Sequence, residues 1–351
     1  MAKAKQRSSS ASQRREEVKK QRQQRISSSQ NRQLQPSGSG RGRSKQKQRP
    51  WGLIVGTLLV IAAIIGVFIY LSHQSTGTGT GGGNTGSTPT SASVLNAVTH
   101  VSPTVLANVG TGGQQKILVS LKGGSPPPLL GPRGKPEFFY TGAEYCPFCA
   151  AERWSVVVAL SRFGTFSKLN QTTSSATDVY PNTPTFTFYQ STYTSQYIDF
   201  VAVETTTNQP DGSNGYTTLQ TPTADQQNLI NKYDAPPYLS SPGSIPFIDI
   251  GNQYVMQGAN YSPDILSGHS WQDIAHDLSN SDSPVTQGIV GSANYLTAAI
   301  CMATNQQPAS VCKAGPVPQI EQSLGKSAFN AGGTQVGLVA PLSQAVIRRP
   351  E

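Results

Sequence analysis

Apolar positions are spread unevenly along the chain. Residues 1–50 are mostly Gln, Ser, Lys and Arg, with almost no apolar residue. Such a segment cannot bury a core, which predicts a disordered tail. An uncharged apolar run follows at residues 51–71, with Trp51 and Tyr70 near its two ends. A helix of that length rises about 30 Å, which matches a bilayer core, and end aromatics suit the headgroup belts. One transmembrane helix is therefore predicted at 51–71. Residues 72–93 are rich in Gly, Ser and Thr and read as a flexible linker. A folded body is expected over 94–351.

Within that body the apolar pattern alternates between two periods. Val94, Leu95, Val98, Val101, Val105, Leu106 and Val109 predict helical segments, with Ser102-Pro103 as a cap and first helical residue. Ile117–Leu121 and Glu137–Thr141 read as strands, separated by a Gly/Pro-rich loop. Cys149 to Phe163 reads as a helix. Further strands are predicted at Thr185–Tyr189 and Tyr197–Val203, then a polar loop over Asn208–Thr221 and a short helix at Ala224–Tyr233. Ser244–Met256 reads as a hairpin turning at Gly251-Asn252. Ser262-Pro263, Ser270 with Asp273, and Ser283-Pro284 mark three helix starts.

Charge gives the expected orientation. Fifteen of the 27 Lys and Arg lie in residues 1–50, against only Glu16 and Glu17, so this tail carries +13 and the remainder −4. Arg41, Arg43, Lys45, Lys47 and Arg49 flank the apolar run on one side, and no Lys or Arg follows it until Lys116. The positive-inside rule then predicts a single-pass cell-membrane protein with a cytoplasmic N-terminus and an extracytoplasmic C-terminal domain. The tail is expected to touch anionic lipid headgroups. Nucleic-acid binding is disfavoured, because the tail has no aromatic residues for base stacking. All four cysteines fall in the compartment where disulfides persist.

The candidate chemistry centres on Cys146-Pro147-Phe148-Cys149, where a strand hands over to a helix. The unpaired amides and dipole at a helix start stabilise a thiolate, the reactive form of cysteine. Cys146 is the candidate nucleophile and Cys149 the resolving thiol. A carboxylate beside the pair would move protons for Cys149, with Glu144 as candidate; Glu144 and Glu152 are otherwise read as solvated, and Glu152-Arg153 as helix-surface charge. Trp154 is read as a core residue.

Cys301 and Cys312 lack the strand-to-helix setting, so a structural disulfide is preferred over a second redox pair. A zinc site is disfavoured: Cys146/Cys149 could supply a knuckle, but Cys301 and Cys312 do not have ligand spacing and no His lies near either pair. His73, His100, His269 and His276 are scattered, and no hydrolase or nucleotide motif is present. No cofactor and no metal are expected.

Cys146-Pro147-Phe148-Cys149, together with Ile245-Pro246 opening a later hairpin, resembles the thioredoxin-like superfamily in its Dsb and protein-disulfide-isomerase branches. The resemblance spans roughly residues 115–280. The basic tail, the anchor and the stretch Glu144–Trp154 look most like a prokaryotic family catalogued as domain of unknown function 929. The resemblance implies an α/β class: a thioredoxin-like fold with insertions and a helical C-terminal extension, preceded by one transmembrane helix. It implies a cis bond at Pro246, where the family aligns substrate beside the active disulfide. Tyr145 stands where thioredoxins often carry Trp, Ile245 precedes the proline, and about a hundred residues separate Cys149 from Pro246. The implied activity is thiol–disulfide exchange on thiol- or disulfide-containing exported proteins, recycled by a membrane or extracytoplasmic redox partner. Oxidation, reduction and isomerisation all stay open. The competing class is a non-catalytic binding module whose cysteines are structural.

Overall fold

The computed structural model describes residues 86–114, 118–121 and 126–325. The predicted membrane helix at 51–71 lies outside them. Among the described residues no helix is long and apolar enough to cross a membrane.

Five strands form a mixed central sheet: β2 (Val119–Ser120), β3 (Glu137–Gly142), β6 (Asp199–Glu204), β9 (Phe247–Ile250) and β10 (Tyr254–Gln257). Their order is β2-β10-β9-β3-β6. β3 and β6 run parallel, while β9 is antiparallel to both β3 and β10. Strand alternation divides the side chains between two faces. Phe138, Tyr140, Ile248, Ile250, Tyr254 and Met256 enter the larger core, and Phe139, Val203, Phe247 and Val255 enter a smaller one. The β9–β10 loop is Gly251-Asn252-Gln253; Gln253 N donates to Ile250 O, and the two residues between them, Gly251 and Asn252, both take positive φ (63° and 55°), which Gly and Asn tolerate best.

The helices are α1 (Ala92–Thr99), α2 (Pro103–Val109), α3 (Pro147–Ser161), α4 (Ala224–Tyr233), α5 (Trp271–Asp277), α6 (Pro284–Ala303), α7 (Ala309–Cys312) and α8 (Val317–Gly325). Ser91 and Ser102 cap α1 and α2 by accepting from Val94 N and Val105 N. Thr223 with Gln226, and Ser270 with Asp273, form capping boxes on α4 and α5. Tyr233 of α4 joins the smaller core, while α6 and α3 are the two largest contributors to the larger one. Every residue of α3 from Pro147 to Leu160 is buried except Phe148. Such a helix is enclosed on all sides, not amphipathic. α6 closes its back: Ser155 donates to Ile289 O at 2.9 Å. At Gly291 of α6 a Cβ would run into the Thr111 carbonyl, so glycine lets the two backbones approach.

A second, three-stranded sheet has the order β1-β4-β5, from Thr88–Pro89, Gly164–Thr173 and Pro184–Ser195. Regular structure thus begins before Val94, since Thr88–Pro89 pairs with Asn170 and Gln171. β4 falls in a mostly polar stretch after Phe163, where the sequence predicts no strand. Register shifts between Phe166, Lys168 and Asn170 break its alternation, so the buried positions fall at Phe166, Leu169 and Thr172. A small hairpin, β7 (Thr206–Pro210) with β8 (Tyr216–Thr218), begins two residues before the predicted Asn208–Thr221 loop and occupies most of it.

Candidate active site

β3 ends at Gly142, and the four residues after it carry the chain into α3. Cys146 is itself the N-cap of α3: its backbone is extended (φ −75°, ψ 121°), Pro147 takes the first helical position, and Cys149 N donates to Cys146 Sγ at 3.3 Å. Proline suits that position because its missing N–H would be unpaired there anyway. The thiol therefore occupies the place usually held by a capping Ser or Asp oxygen. Cys146 is 6 % exposed and Cys149 fully buried, both as free thiols.

The two thiols are electrostatically unequal. Burial opposes ionisation of Cys146. Hydrogen bonds from the Cys149 thiol and amide, the Arg153 charge and the Phe148 amide outweigh it and bring the thiol below its ordinary value. Cys149 is driven well above its ordinary value, first by burial and then by its interaction with Cys146. Arg153 lies one turn beyond Cys149. It forms a fully buried, two-pronged ion pair with Glu204 of β6: Nε to Oε1 at 2.8 Å and Nη2 to Oε2 at 2.6 Å. Its Nη2 also donates to Ala143 O at 2.8 Å, and its guanidinium lies 5.9 Å from the Tyr140 ring centre.

Glu144, Glu152 and Arg153 correct the expectation of solvated surface charge, since all three are fully buried. Their burial follows from the enclosure of α3 by both sheets and by α6, which no local pattern revealed. Burial raises Glu144 to about 7; Thr187 and Arg153 oppose the rise, and Glu204 adds to it. Glu152 is likewise raised to about 7 by burial, against hydrogen bonds from Ser292 Oγ (2.7 Å) and Asn260 N (3.1 Å). It ties α3 to α6 and to the segment after β10. Trp154 lies in the core, its indole donating to Pro184 O at 2.9 Å.

The fold brings Ile245-Pro246 to the thiols. The Ile245–Pro246 bond is cis, and Ile245 O lies 3.9 Å from Cys146 Sγ. Aromatic rings flank the motif. Tyr145 stacks on Tyr216 of β8 at 4.3 Å, and Phe148 meets Tyr180 edge-on at 6.0 Å. Ser175 fastens this rim: its amide donates to Tyr145 O and its hydroxyl accepts from Tyr216 OH. Val179, beside Tyr180, is 58 % exposed.

Cys301 and Cys312 form a disulfide with Cα atoms 5.5 Å apart. Two residues past Cys301, Ala303 meets the β9–β10 turn at Gly251, whereas Pro246 precedes the other end of β9. Strand rise over that interval is about 16 Å. Among the described residues, no group of three or more His, Cys, Asp or Glu is disposed to hold a metal ion. The Arg153–Glu204 pair had no sequence signal, because its members lie 51 positions apart.

Sheet and site together define a mixed α/β domain with a buried dithiol at a helix N-terminus. The model of the domain of unknown function family DUF929 matches residues 127–302, half of the chain, and the protein belongs to that family. The matched span runs from the loop before β3 almost to the end of α6, and so contains the dithiol, Arg153, Glu204 and Pro246. No curated protein and no solved structure matches the chain.

Proposed function

We propose that the protein is a membrane-anchored thiol–disulfide oxidoreductase or isomerase of thioredoxin-like fold, acting on exported proteins. The observation that carries this reading is the inequality of the two thiols: Cys146 is lowered at the helix start while Cys149 is raised in the interior. A merely structural pair has no need of such a division. The thioredoxin-like assignment is supported by the order β10-β9-β3-β6, with β3 and β6 parallel and the motif at the β3–α3 junction.

The reaction divides into two exchanges. The Cys146 thiolate attacks one sulfur of a substrate disulfide; that S–S bond breaks, and the departing substrate thiolate takes a proton from water. Cys149 then loses its proton and attacks Cys146 Sγ, releasing the second substrate thiol. The substrate gains two electrons and the Cys146–Cys149 disulfide forms; the reverse sequence oxidises a substrate dithiol. Glu144, raised to about 7, would take the Cys149 proton near neutral pH. The electrons are returned or removed by a redox partner on the same side of the membrane.

The test is the reduction potential of the Cys146/Cys149 pair in the purified chain, equilibrated against glutathione. A value near or above about −200 mV supports a labile catalytic disulfide. A value below about −300 mV marks a structural bond and replaces this reading with a non-catalytic binding module.

A further inference from the structure

Between α4 and β9 lies a connection, residues 234–246, that ends at the Ile245-Pro246 segment facing Cys146. Its backbone forms no strand with the sheet. One side chain organises it. Gln257, the last residue of β10, reaches the face where α4 packs. Its Oε1 accepts from Ser240 N (3.1 Å), Ser240 Oγ (2.9 Å) and Ser241 N (3.2 Å). Its Nε2 donates to Asp234 Oδ1 and Ser241 O, both at 2.8 Å. The primary amide is thus used from both ends, and only Asn or Gln offers donors and acceptors in this arrangement. The next residue, Gly258, donates its N–H to Pro246 O at 2.8 Å. Gln257 and Gly258 therefore hold the start, middle and end of the connection that delivers Ile245 to the thiol.

Taking Cys146 as the attacking thiol proposed above, we infer that Gln257 is a positioning residue. It fixes the Ile245-Pro246 segment beside Cys146 and thereby sets how a polypeptide disulfide is seated for attack. Gln257 touches neither thiol, so its influence falls on substrates large enough to lie along that segment. A small disulfide needs only the thiolate.

The full chain is assayed with two probes, a short glutathionylated peptide and hydroxyethyl disulfide, alongside a titration of the Cys146 thiolate. In Gln257→Met the KM for the peptide rises about tenfold at nearly constant kcat. The rate with hydroxyethyl disulfide and the thiolate titration stay as in the parent. Gln257→Glu sets a second carboxylate against Asp234 and raises the peptide KM at least as far. Adding Asp234→Asn restores the donor–acceptor pair at that end with its polarity reversed but leaves Ser241 O facing a carboxylate, so the double variant lowers the peptide KM below that of Gln257→Glu without regaining the parent value. An unchanged peptide KM in a folded Gln257→Met protein overturns the inference, and so does an equal loss with both probes. If Gln257→Met does not fold, the double variant decides: a peptide KM as high as in Gln257→Glu overturns it. Absence of dithiol-dependent turnover of either probe by the parent overturns the oxidoreductase reading itself, a result distinct from loss of the peptide preference alone.

Discussion

The two cysteine pairs are buried alike, between 0 and 6 % exposed, yet their surroundings are opposite. Cys146 caps the N-terminus of α3, where amides point at its sulfur. Cys301 sits in the last turn of α6, and Cys312 is the last residue of α7. Helix C-termini present carbonyls and partial negative charge, which disfavour a thiolate. One pair is therefore held as unequal thiols and the other as a bond between two helix ends. Depth of burial does not separate the free pair from the bonded one; position along a helix does.

Removing the proposed nucleophile breaks the contrast most severely. Cys146→Ser should abolish disulfide exchange, a loss of at least about a thousandfold. Cys149→Ser should instead accumulate a mixed disulfide with substrate, visible by mass spectrometry under non-reducing conditions. Activity surviving in Cys146→Ser would move the chemistry elsewhere in the chain. Arg153→Met comes next, because it strands Glu204 as a buried charge. It should cost about 3–5 kcal/mol in urea unfolding. It should also raise the Cys146 thiol, since the Arg153 charge is one of the groups holding it down.

The double variant Cys301→Ser/Cys312→Ser should lose about 3 kcal/mol of stability through the short loop it opens, while exchange changes by less than about twofold. A large loss of exchange in a folded double variant would instead make that pair a relay. The smallest effect belongs to Glu144. Its carboxyl lies near 7 in the folded protein against an ordinary value of 4.5. Between those values the folded state binds more protons than the unfolded state, so stability falls as pH rises from 4.5 to 7. Resolution of the mixed disulfide should speed up over the same approach to 7, as the base form appears. Glu144→Gln should remove its own share of the stability slope, leaving that of Glu152, and should flatten the resolution profile and slow resolution about tenfold near neutral pH. A resolution profile still inflecting near 7 in that variant would assign the base elsewhere.

The elements carrying the dithiol were legible because their signals are local. Phe138 to Tyr140 read as a strand, Ser270 with Asp273 as a helix start, and Gly251-Asn252 as a turn. β4 was not, because its register shifts space the buried residues by three, as on a helix. Glu152 and Arg153 looked like surface charge because two adjacent ionised residues on a helix usually are. Their partners, Ser292 and Glu204, come from elements distant in sequence. Gln257 carried no signal, since a polar residue ending a strand is unremarkable until its five partners assemble around it.

The indole hydrogen bonds carry a consequence for optical measurement. Trp154 donates to Pro184 O and Trp271 to Thr185 O, adjacent carbonyls at the start of β5. Trp154 also lies 4.4 Å from Phe186 on the same strand. Emission from these two fluorophores therefore reports chiefly on the seam where β5 meets α3 and α5. With Trp51 replaced by Phe, a spectral shift on reduction or on substrate binding would mean that this seam has moved. A silent spectrum during turnover would mean that the chemistry leaves it at rest.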